Sequence, residues 1–231
     1  MAKVLFIVSG ATYWTLKDGT RHATGYWAEE FANQYNILTD SVHEVVVATP
    51  NGVVPTVDMM SLRPAMAGGD DGALELENII RDAEVMRRPL QLSEVRLEDY
   101  DAVYMPGGHG PMADLAFDAD CGRLLTQQLE SGDPLFIVCH APSSMLATRI
   151  HGKSPFTGKK ITGFSNEEEE AVGLASRAPY LMETELKEKV GVDYSKGPMW
   201  EPYMVEDGNL VTGQNPHSAA VLGKRMLEIL A

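Results

Sequence analysis

The stretch Pro134-Leu135-Phe136-Ile137-Val138-Cys139-His140-Ala141-Pro142 contains the pattern that decides the fold. Its apolar run is continuous rather than alternating, which is typical of a strand with both faces covered. The cysteine, small residue and proline that follow predict a tight turn from this strand into a helix. Three similar apolar runs occupy residues 4–8, 45–48 and 102–105. Four such runs, separated by longer helix-compatible stretches, predict a doubly wound α/β fold with a mostly parallel, flavodoxin-like sheet and helices on both faces.

Helix signals lie between and after these strands. Residues 29–38 and 118–129 have the spacing of amphipathic helices. A closing helix is predicted from an Asn215 N-cap and from Pro216 in the first helical position. Four apolar residues then recur along it at intervals of three and four: Ala219, Leu222, Met226 and Ile229.

Residues 50–72 are rich in proline and glycine, so we expect an irregular excursion over the surface there. Loops of this length are often functional. No linker divides the chain, and residues 1–231 are therefore expected to form a single domain.

The composition excludes several classes of protein. The 231 residues include 19 Lys+Arg and 33 Asp+Glu, and the net charge of −14 at pH 7 repels phosphate backbones. Neither nucleic acid nor a membrane is therefore expected as a partner. The longest apolar run near the start, residues 4–8, is too short for a membrane span or a signal peptide, so we expect a cytoplasmic protein. Two cysteines, Cys121 and Cys139, are too few for a disulfide framework.

Cys139 is the candidate nucleophile. A side chain on a strand-to-helix turn is exposed at the carboxyl edge of the sheet, and a helix N-terminus behind it favours the thiolate. The alternative is a buried small apolar residue, the commoner fate of a free cysteine. His140 can pair with this thiol only if the chain bends, because neighbouring side chains of an extended strand point apart. Cys121 lies on a predicted amphipathic helix and is expected only to pack.

A second group of candidates follows the strand at residues 102–105. The consecutive glycines Gly107 and Gly108 let backbone N–H groups approach a ligand closely and bind an anion. The glycines also match a dinucleotide fingerprint, but the acid that would hold the ribose is missing from the end of the next strand. We therefore favour an oxyanion or substrate-binding site that includes Gly107, Gly108 and His140, with a plain glycine turn as the alternative.

Acidic residues complete the candidate set. Glu30 lies at the start of the first predicted helix, which begins at the edge of the sheet where Cys139 must lie. It could also simply complement the helix dipole. Ser165 and Glu168 have the spacing of a capping box. Glu169 and Glu170 are not needed for this cap. They either have a function or belong to a solvated helix face.

Taken together, these pieces resemble the ThiJ/PfpI superfamily, with its class I glutamine-amidotransferase-like fold, and in particular its heat-shock-protein-31-like glyoxalase III branch. The resemblance spans nearly the whole chain. It rests on five ordered blocks: Thr24-Gly25-Tyr26-Trp27-Ala28-Glu29-Glu30-Phe31, Pro106-Gly107-Gly108-His109-Gly110, Val138-Cys139-His140-Ala141-Pro142, Thr162-Gly163-Phe164-Ser165-Asn166-Glu167-Glu168-Glu169 and Leu210-Val211-Thr212-Gly213-Gln214-Asn215-Pro216.

The resemblance implies a role for each matching position. The nucleophile falls on Cys139, its histidine on His140, and the acid that orients this histidine on Glu169. The glutamate that hydrogen-bonds the thiol falls on Glu30, and the oxyanion glycine falls on Gly108. We expect a raised pKa for Glu30, because two negative groups cannot easily share a partly dry site.

Two positions depart from the family pattern. Ala141 stands where relatives usually have glycine and is expected to narrow the pocket by a methyl group. Gln34 stands where relatives often have proline. Neither touches the reacting atoms, so both bear on substrate identity more than on catalysis.

The implied activity is that of a cofactor-independent glyoxalase, a lyase that converts methylglyoxal and water to D-lactate with Glu30 or His140 as the general base. One alternative is a cysteine hydrolase, amidase or protein deglycase, because the same residues serve acyl transfer. Another is a non-catalytic redox sensor or holdase chaperone in which Cys139 is merely oxidisable.

The resemblance and the residues also bear on ligands and partners. No cofactor is expected, and no metal ion, because His22, His43 and His109 are scattered along the sequence. The expected partners are a small carbonyl substrate and a second copy of the chain, since members of the family are commonly dimers.

Overall fold

A computed structural model describes residues 1–149 and 151–231 of the protein. Among these residues the strands are β1 (Lys3–Ile7), β2 (Tyr13–Thr15), β3 (Arg21–Ala23), β4 (Glu44–Thr49), β5 (Leu90–Gln91), β6 (Ala102–Met105), β7 (Leu135–Val138), β8 (Lys160–Ile161), β9 (Asp193–Tyr194), β10 (Met204–Asp207) and β11 (Leu210–Gly213). The α-helices are α1 (Ala28–Asp40), α2 (Asp70–Asp82), α3 (Gly110–Ala113), α4 (Ala119–Ser131), α5 (Asn166–Ala171), α6 (Met182–Glu185) and α7 (Ala219–Leu230).

Seven of the strands form one sheet in the order β10-β11-β7-β6-β1-β4-β5. All neighbours in it pair in parallel except β10, which lies antiparallel at the edge. Every residue of β6 and β7 is buried. Because successive side chains of a strand point to opposite faces, both faces of the sheet must be covered. The predicted doubly wound α/β fold is therefore confirmed.

The four predicted apolar runs are confirmed as β1, β4, β6 and β7. Strands β5, β10 and β11 were not predicted from the sequence, and neither were two small two-stranded sheets, β2–β3 and β8–β9. These strands are two to four residues long and lack a continuous apolar run. Their pairing depends on the neighbouring strand rather than on their own composition.

The predicted helices are also present, as α1, α4 and α7. Asn215 caps a short 3₁₀ turn, Pro216–Ser218, which leads directly into α7. The excursion at residues 50–72 is confirmed as irregular: after a 3₁₀ turn at Pro50–Gly52, no helix begins before Asp70 in this fully described stretch. Gln34 donates from Nε2 to the carbonyl of Ala219 at 2.6 Å and so joins α1 to the start of α7.

The carboxyl ends of the parallel strands bring distant parts of the chain together. The turns after β6 and β7, the first turn of α1 and the segment before α5 meet at this edge, as the contacts below show. In the part of the chain that the structure describes, none of the helices is long and apolar enough to cross a membrane.

Candidate active site

Cys139 lies on a strained turn directly after β7. Its φ of +60° is in the left-handed region, which non-glycine residues rarely occupy. Two backbone hydrogen bonds hold it there: its N–H donates to the carbonyl of Gly213 at 3.0 Å, and its carbonyl accepts from the N–H of Phe164 at 2.8 Å. A 3₁₀ helix, Ala141–Thr148, follows. The predicted strand-to-helix turn is present, with a 3₁₀ helix behind it.

This turn brings the side chains of Cys139 and His140 together although they are neighbours in sequence. His140 Nδ1 lies 3.2 Å from the sulfur of Cys139, and His140 Nε2 lies 2.8 Å from Glu169 Oε2. All three residues are buried. The sulfur, the imidazole and the carboxylate therefore form one continuous relay.

Glu169 belongs to the first turn of α5, which the Ser165 and Glu168 capping box begins as predicted. The carboxylate is shared, because its other oxygen, Oε1, lies 2.9 Å from His109 Nε2. Burial opposes ionisation, but the hydrogen bonds from His109 and His140 outweigh it and hold the pKa of Glu169 well below its ordinary value. An ionised Glu169 accepts hydrogen bonds from both imidazoles.

The shared carboxylate decides where the imidazole protons lie. Burial, reinforced by the neighbouring His109, lowers the pKa of His140 to about 4, so its ring is neutral at pH 7. A neutral imidazole carries one hydrogen, and the bond to Glu169 places it on Nε2. Nδ1 is then left with a free lone pair facing the thiol of Cys139. His109 was not among the candidate site residues predicted from the sequence, because its partner Glu169 lies 60 residues further along the chain.

Glu30 lies at the start of α1, beneath the cysteine. Its Oε2 accepts a 2.5 Å hydrogen bond from the N–H of Gly107, and its carboxyl group also interacts with the Cys139 thiol. Complete burial raises the pKa of Glu30 to about 8, so the carboxyl is protonated at neutral pH. The predicted rise is present, although burial is its largest cause rather than the nearby thiol.

The thiol itself behaves differently from the prediction. Burial and then the proximity of Glu30 raise the pKa of Cys139 well above its ordinary value, against the N–H of Gly108, which lowers it. The expectation that a helix N-terminus favours the thiolate is therefore wrong for the free protein. Nδ1 of His140, 3.2 Å from the sulfur, is in position to accept the thiol proton.

The two glycines after β6, Gly107 and Gly108, make different contacts. Gly108 has a φ of +89°, and a Cβ on it would lie 2.5 Å from the carbonyl oxygen of Gly25, so this turn requires glycine. Its N–H is close enough to the Cys139 sulfur to lower the pKa of the thiol. The N–H of Gly107 already donates to Glu30, so the prediction that Gly107 is an oxyanion donor is wrong.

A cavity of about 50 Å³ opens over the cysteine. Residues from eight separate places along the chain line it: Trp27, Met66, Gly108, His109, Cys139, His140, Phe164, Val172, Trp200 and Pro216. Phe164 stacks on the ring of His140, with centroids 4.2 Å apart. Met66 comes from the irregular excursion, which therefore contributes to the site. Ala141 does not line the cavity, so the expected narrowing by its methyl group is wrong.

A larger open groove of about 590 Å³ lies nearby, with Tyr13, Trp14, Phe117 and Tyr180 in its walls. It contains none of the relay residues. The small cavity over Cys139 is therefore the candidate active site. The other cysteine, Cys121, is completely buried in the core, as predicted.

The fold also corrects one expectation about histidines. His22 and His109 are 87 positions apart in the sequence, but their rings lie 5.7 Å apart between centroids. Together with Asp58 they place three ligand atoms within 4.8 Å of one another. His22 and His109 are therefore distant in the sequence but neighbours in the folded chain. Their separation along the sequence is not a reason to exclude a metal site.

The comparison with known proteins agrees with this architecture. The model of the DJ-1/PfpI family matches residues 22–229. The chain belongs to the DJ-1/PfpI family. The solved structure of glyoxalase III from Candida albicans superimposes with a TM-score of 0.78 at 25% identity, covering 99% of this chain and 97% of that one.

Three relatives in the family are similar over most of this chain. Glyoxalase 3 of Candida albicans is 28% identical over 227 residues, or 95% of this chain and 94% of that protein. The glutathione-independent glyoxalase HSP31 of Saccharomyces cerevisiae is 28% identical over 238 residues, or 99% and 98%. The protein/nucleic acid deglycase HchA of Staphylococcus aureus is 26% identical over 234 residues, or 96% and 77%. The resemblance to the ThiJ/PfpI superfamily and its glyoxalase III branch is confirmed.

Proposed function

We propose that this DJ-1/PfpI protein is a cysteine-dependent glyoxalase III-type lyase, which converts methylglyoxal and water to D-lactate without a cofactor. The observation that carries the proposal is the relay from Cys139 through His140 to Glu169, directed into a small cavity with mostly apolar walls. Relatives named as glyoxalases, similar along nearly the whole chain, support the same activity.

The first step is addition of the thiol to the aldehyde. His140 Nδ1 takes the proton from Cys139, and the sulfur forms a bond to the aldehyde carbon, whose oxygen becomes an alkoxide. We place the N–H of Gly108, which is close enough to the sulfur to lower the pKa of the thiol, as one donor to this oxygen and the N–H of His140 as the second. The protonated imidazole then returns its proton to the alkoxide, which gives a hemithioacetal.

The second step is an internal redox change within the substrate. His140, neutral again, removes the proton from the former aldehyde carbon while the neighbouring ketone oxygen takes up a proton, which gives an enediol. A proton is then delivered to the adjacent carbon as the hydroxyl on the former aldehyde carbon loses its own, so that one carbon is oxidised as the other is reduced. The product is a thioester of lactate on Cys139. Water then cleaves this thioester, releasing lactate and restoring the thiol. Glu30, protonated at neutral pH, is positioned to exchange protons with the sulfur during these steps.

The size of the cavity favours a small substrate. A cavity needs roughly 10–15 Å³ to admit one water molecule, so about 50 Å³ admits a group of only a few non-hydrogen atoms. Methylglyoxal has five such atoms and enters with its aldehyde carbon at the sulfur. The rings of Phe164 and Trp200, 5.6 Å apart between centroids, limit anything much larger.

The decisive experiment compares the two cysteines. We expect the wild type to form D-lactate from methylglyoxal in the absence of glutathione, and Cys139→Ala to form none. Cys121→Ala is the matched control, because this cysteine is buried in the core away from the relay, and it should retain turnover. Steady D-lactate formation by Cys139→Ala would refute the proposal.

A second candidate function is protein deglycation, which the name of the Staphylococcus aureus relative favours. The same thiol would then attack an adduct attached to a lysine or arginine side chain. A glycated N-acetyl-lysine substrate, assayed with a scavenger that consumes free methylglyoxal, separates the two. Release of the amine despite the scavenger would establish a deglycase, whereas release that the scavenger abolishes would be a consequence of glyoxalase activity.

We also propose that residues 1–231 form one domain, and that the protein acts as a homodimer in the cytoplasm. A single buried core that includes residues from β1 to α7 supports the first statement. A single cooperative unfolding transition tests it. Light scattering after size-exclusion chromatography tests the dimer, and cell fractionation tests the location.

A further inference from the structure

Three side chains next to the relay converge on one point, and no bond is made or broken on any of them in the proposed reaction. His22 lies on β3, Asp58 lies in the irregular excursion, and His109 follows β6. One ligand atom from each lies within 4.8 Å of the other two. His109 and Asp58 are buried, and His22 is half-buried and gives access from solvent.

One ring nitrogen of His109 remains for a ligand at this point. His109 Nε2 is hydrogen-bonded to Glu169 at 2.9 Å, so that nitrogen already has a partner. Nδ1 of His109 is therefore the ring nitrogen left to bind an ion. Among residues 1–149 and 151–231, neither this nitrogen nor the ring of His22 takes part in a hydrogen bond.

The other two ligands are held in place from behind. Asp58 accepts from the hydroxyl of Thr24 at 2.8 Å on one oxygen and from the N–H of Met60 at 2.9 Å on the other. The loop that carries it is tied to the segment after β3, since the N–H of Asp58 donates to the carbonyl of Tyr26 at 2.8 Å. His22 pairs with Trp14 across β2 and β3, and Trp14 stacks on His109.

We infer that His22, Asp58 and His109 bind a divalent transition-metal ion of the zinc class. Two imidazoles and one carboxylate, with a fourth position open to water, form an established type of zinc site. The bond from His109 to Glu169 is the contact that usually orients a metal-bound histidine, a carboxylate on its second nitrogen. Ligand atoms about 2.1 Å from zinc lie about 3.4 Å apart, so atoms that now lie within 4.8 Å of one another approach by at most about 1.4 Å when the ion binds.

Occupancy of this site acts on the relay through Glu169. His109 and His140 bind the two oxygens of the same Glu169 carboxylate, at 2.9 Å and 2.8 Å. An ion that draws His109 towards His22 and Asp58 therefore also shifts the carboxylate that orients His140. Through this shift the ion lowers turnover without touching the substrate.

Binding is tested by calorimetric titration of the full chain with Zn²⁺ after treatment with a chelator. The measurement uses a Cys139→Ala background, because a thiolate is itself a good zinc ligand. We expect one equivalent of zinc to bind. His22→Gln and Asp58→Asn should weaken this binding at least about 100-fold, and Glu169→Gln by roughly 10- to 100-fold.

His43→Gln is the matched control, since His43 contacts the backbone of Ala2 far from this cluster. It should leave the affinity unchanged. Absence of stoichiometric binding, or the same affinity in His22→Gln, would overturn the inference. The result does not depend on the proposed reaction, because the readout is heat of binding in a protein without the nucleophile.

The link to Glu169 has its own test. With Cys139 present, zinc should reduce the turnover of the wild type at concentrations that leave His22→Gln active. Equal inhibition of both proteins would assign the effect to the thiol and would refute the link.

Discussion

Replacing Glu30 by glutamine changes one group that is completely buried and bound to the N–H of Gly107. Folding raises the pKa of this carboxyl from 4.5 to about 8. The folded chain therefore keeps a proton that the unfolded chain releases. The stabilisation from this group is fully present below pH 4.5, decreases as the pH rises and is lost above about pH 8.

Each pKa unit corresponds to about 1.4 kcal/mol, so the complete loss is about 5 kcal/mol. Glutamine has nearly the same shape, can accept the same hydrogen bond from Gly107 and does not ionise. We expect the free energy of unfolding of Glu30→Gln, relative to wild type, to increase by roughly 3 to 4 kcal/mol between pH 5 and pH 8. The variant should be the more stable protein at pH 8.

The assay is urea-induced unfolding at several pH values, followed by circular dichroism. Glu77→Gln is the matched control, because it makes the same substitution at a carboxyl that is exposed on α2. A difference for Glu30→Gln that stays constant from pH 5 to pH 8 would show that Glu30 is ionised in the fold. The same variant should lose roughly 10²- to 10⁴-fold in kcat, since it cannot exchange a proton; an unchanged kcat would remove Glu30 from the mechanism.

Three further changes test other parts of the site. Glu169→Gln removes the ionised acceptor of His140 and should lower kcat for methylglyoxal by roughly 10³- to 10⁴-fold; a smaller effect than tenfold would contradict the relay. Gly108→Ala places a methyl group 2.5 Å from the carbonyl of Gly25 and should destabilise the fold by roughly 1–3 kcal/mol more than Gly132→Ala, where the same positive φ occurs with nothing within 4 Å; equal melting temperatures would contradict this. Trp200→Ala removes one wall of the cavity and should raise kcat/KM for phenylglyoxal, relative to methylglyoxal, by roughly tenfold; an unchanged ratio would show that Trp200 does not limit substrate size.

The parts of the fold that could be predicted are those with a strong local pattern. The continuous apolar runs of β1, β4, β6 and β7 predict buried parallel strands without any knowledge of their partners. In β11, Thr212 and Gly213 interrupt such a run, although all four of its residues are buried. Its position between β7 and β10 comes from tertiary pairing, which no local pattern contains.

The candidate site also has a part that local sequence predicts and a part that depends on tertiary contacts. Cys139 and His140 are adjacent, so the turn after β7 could be predicted from the residues around it. The bond between His109 and Glu169 joins positions 60 residues apart, and their spacing gives no sign of it. The state of the thiol was mispredicted because its pKa depends on burial by several distant segments, which outweighs the short helix beside it.

The stacking of Trp14 on His109 gives the protein an optical probe of its own relay. The two rings lie nearly parallel, 20° apart in tilt, with centroids separated by 5.5 Å. Fluorescence of an indole depends on what touches its ring, so any event that shifts His109 changes the emission of Trp14. With Trp27 and Trp200 replaced by phenylalanine, Trp14 would be the sole emitting tryptophan of the chain. Stopped-flow mixing could then time events at Glu169 without an added dye.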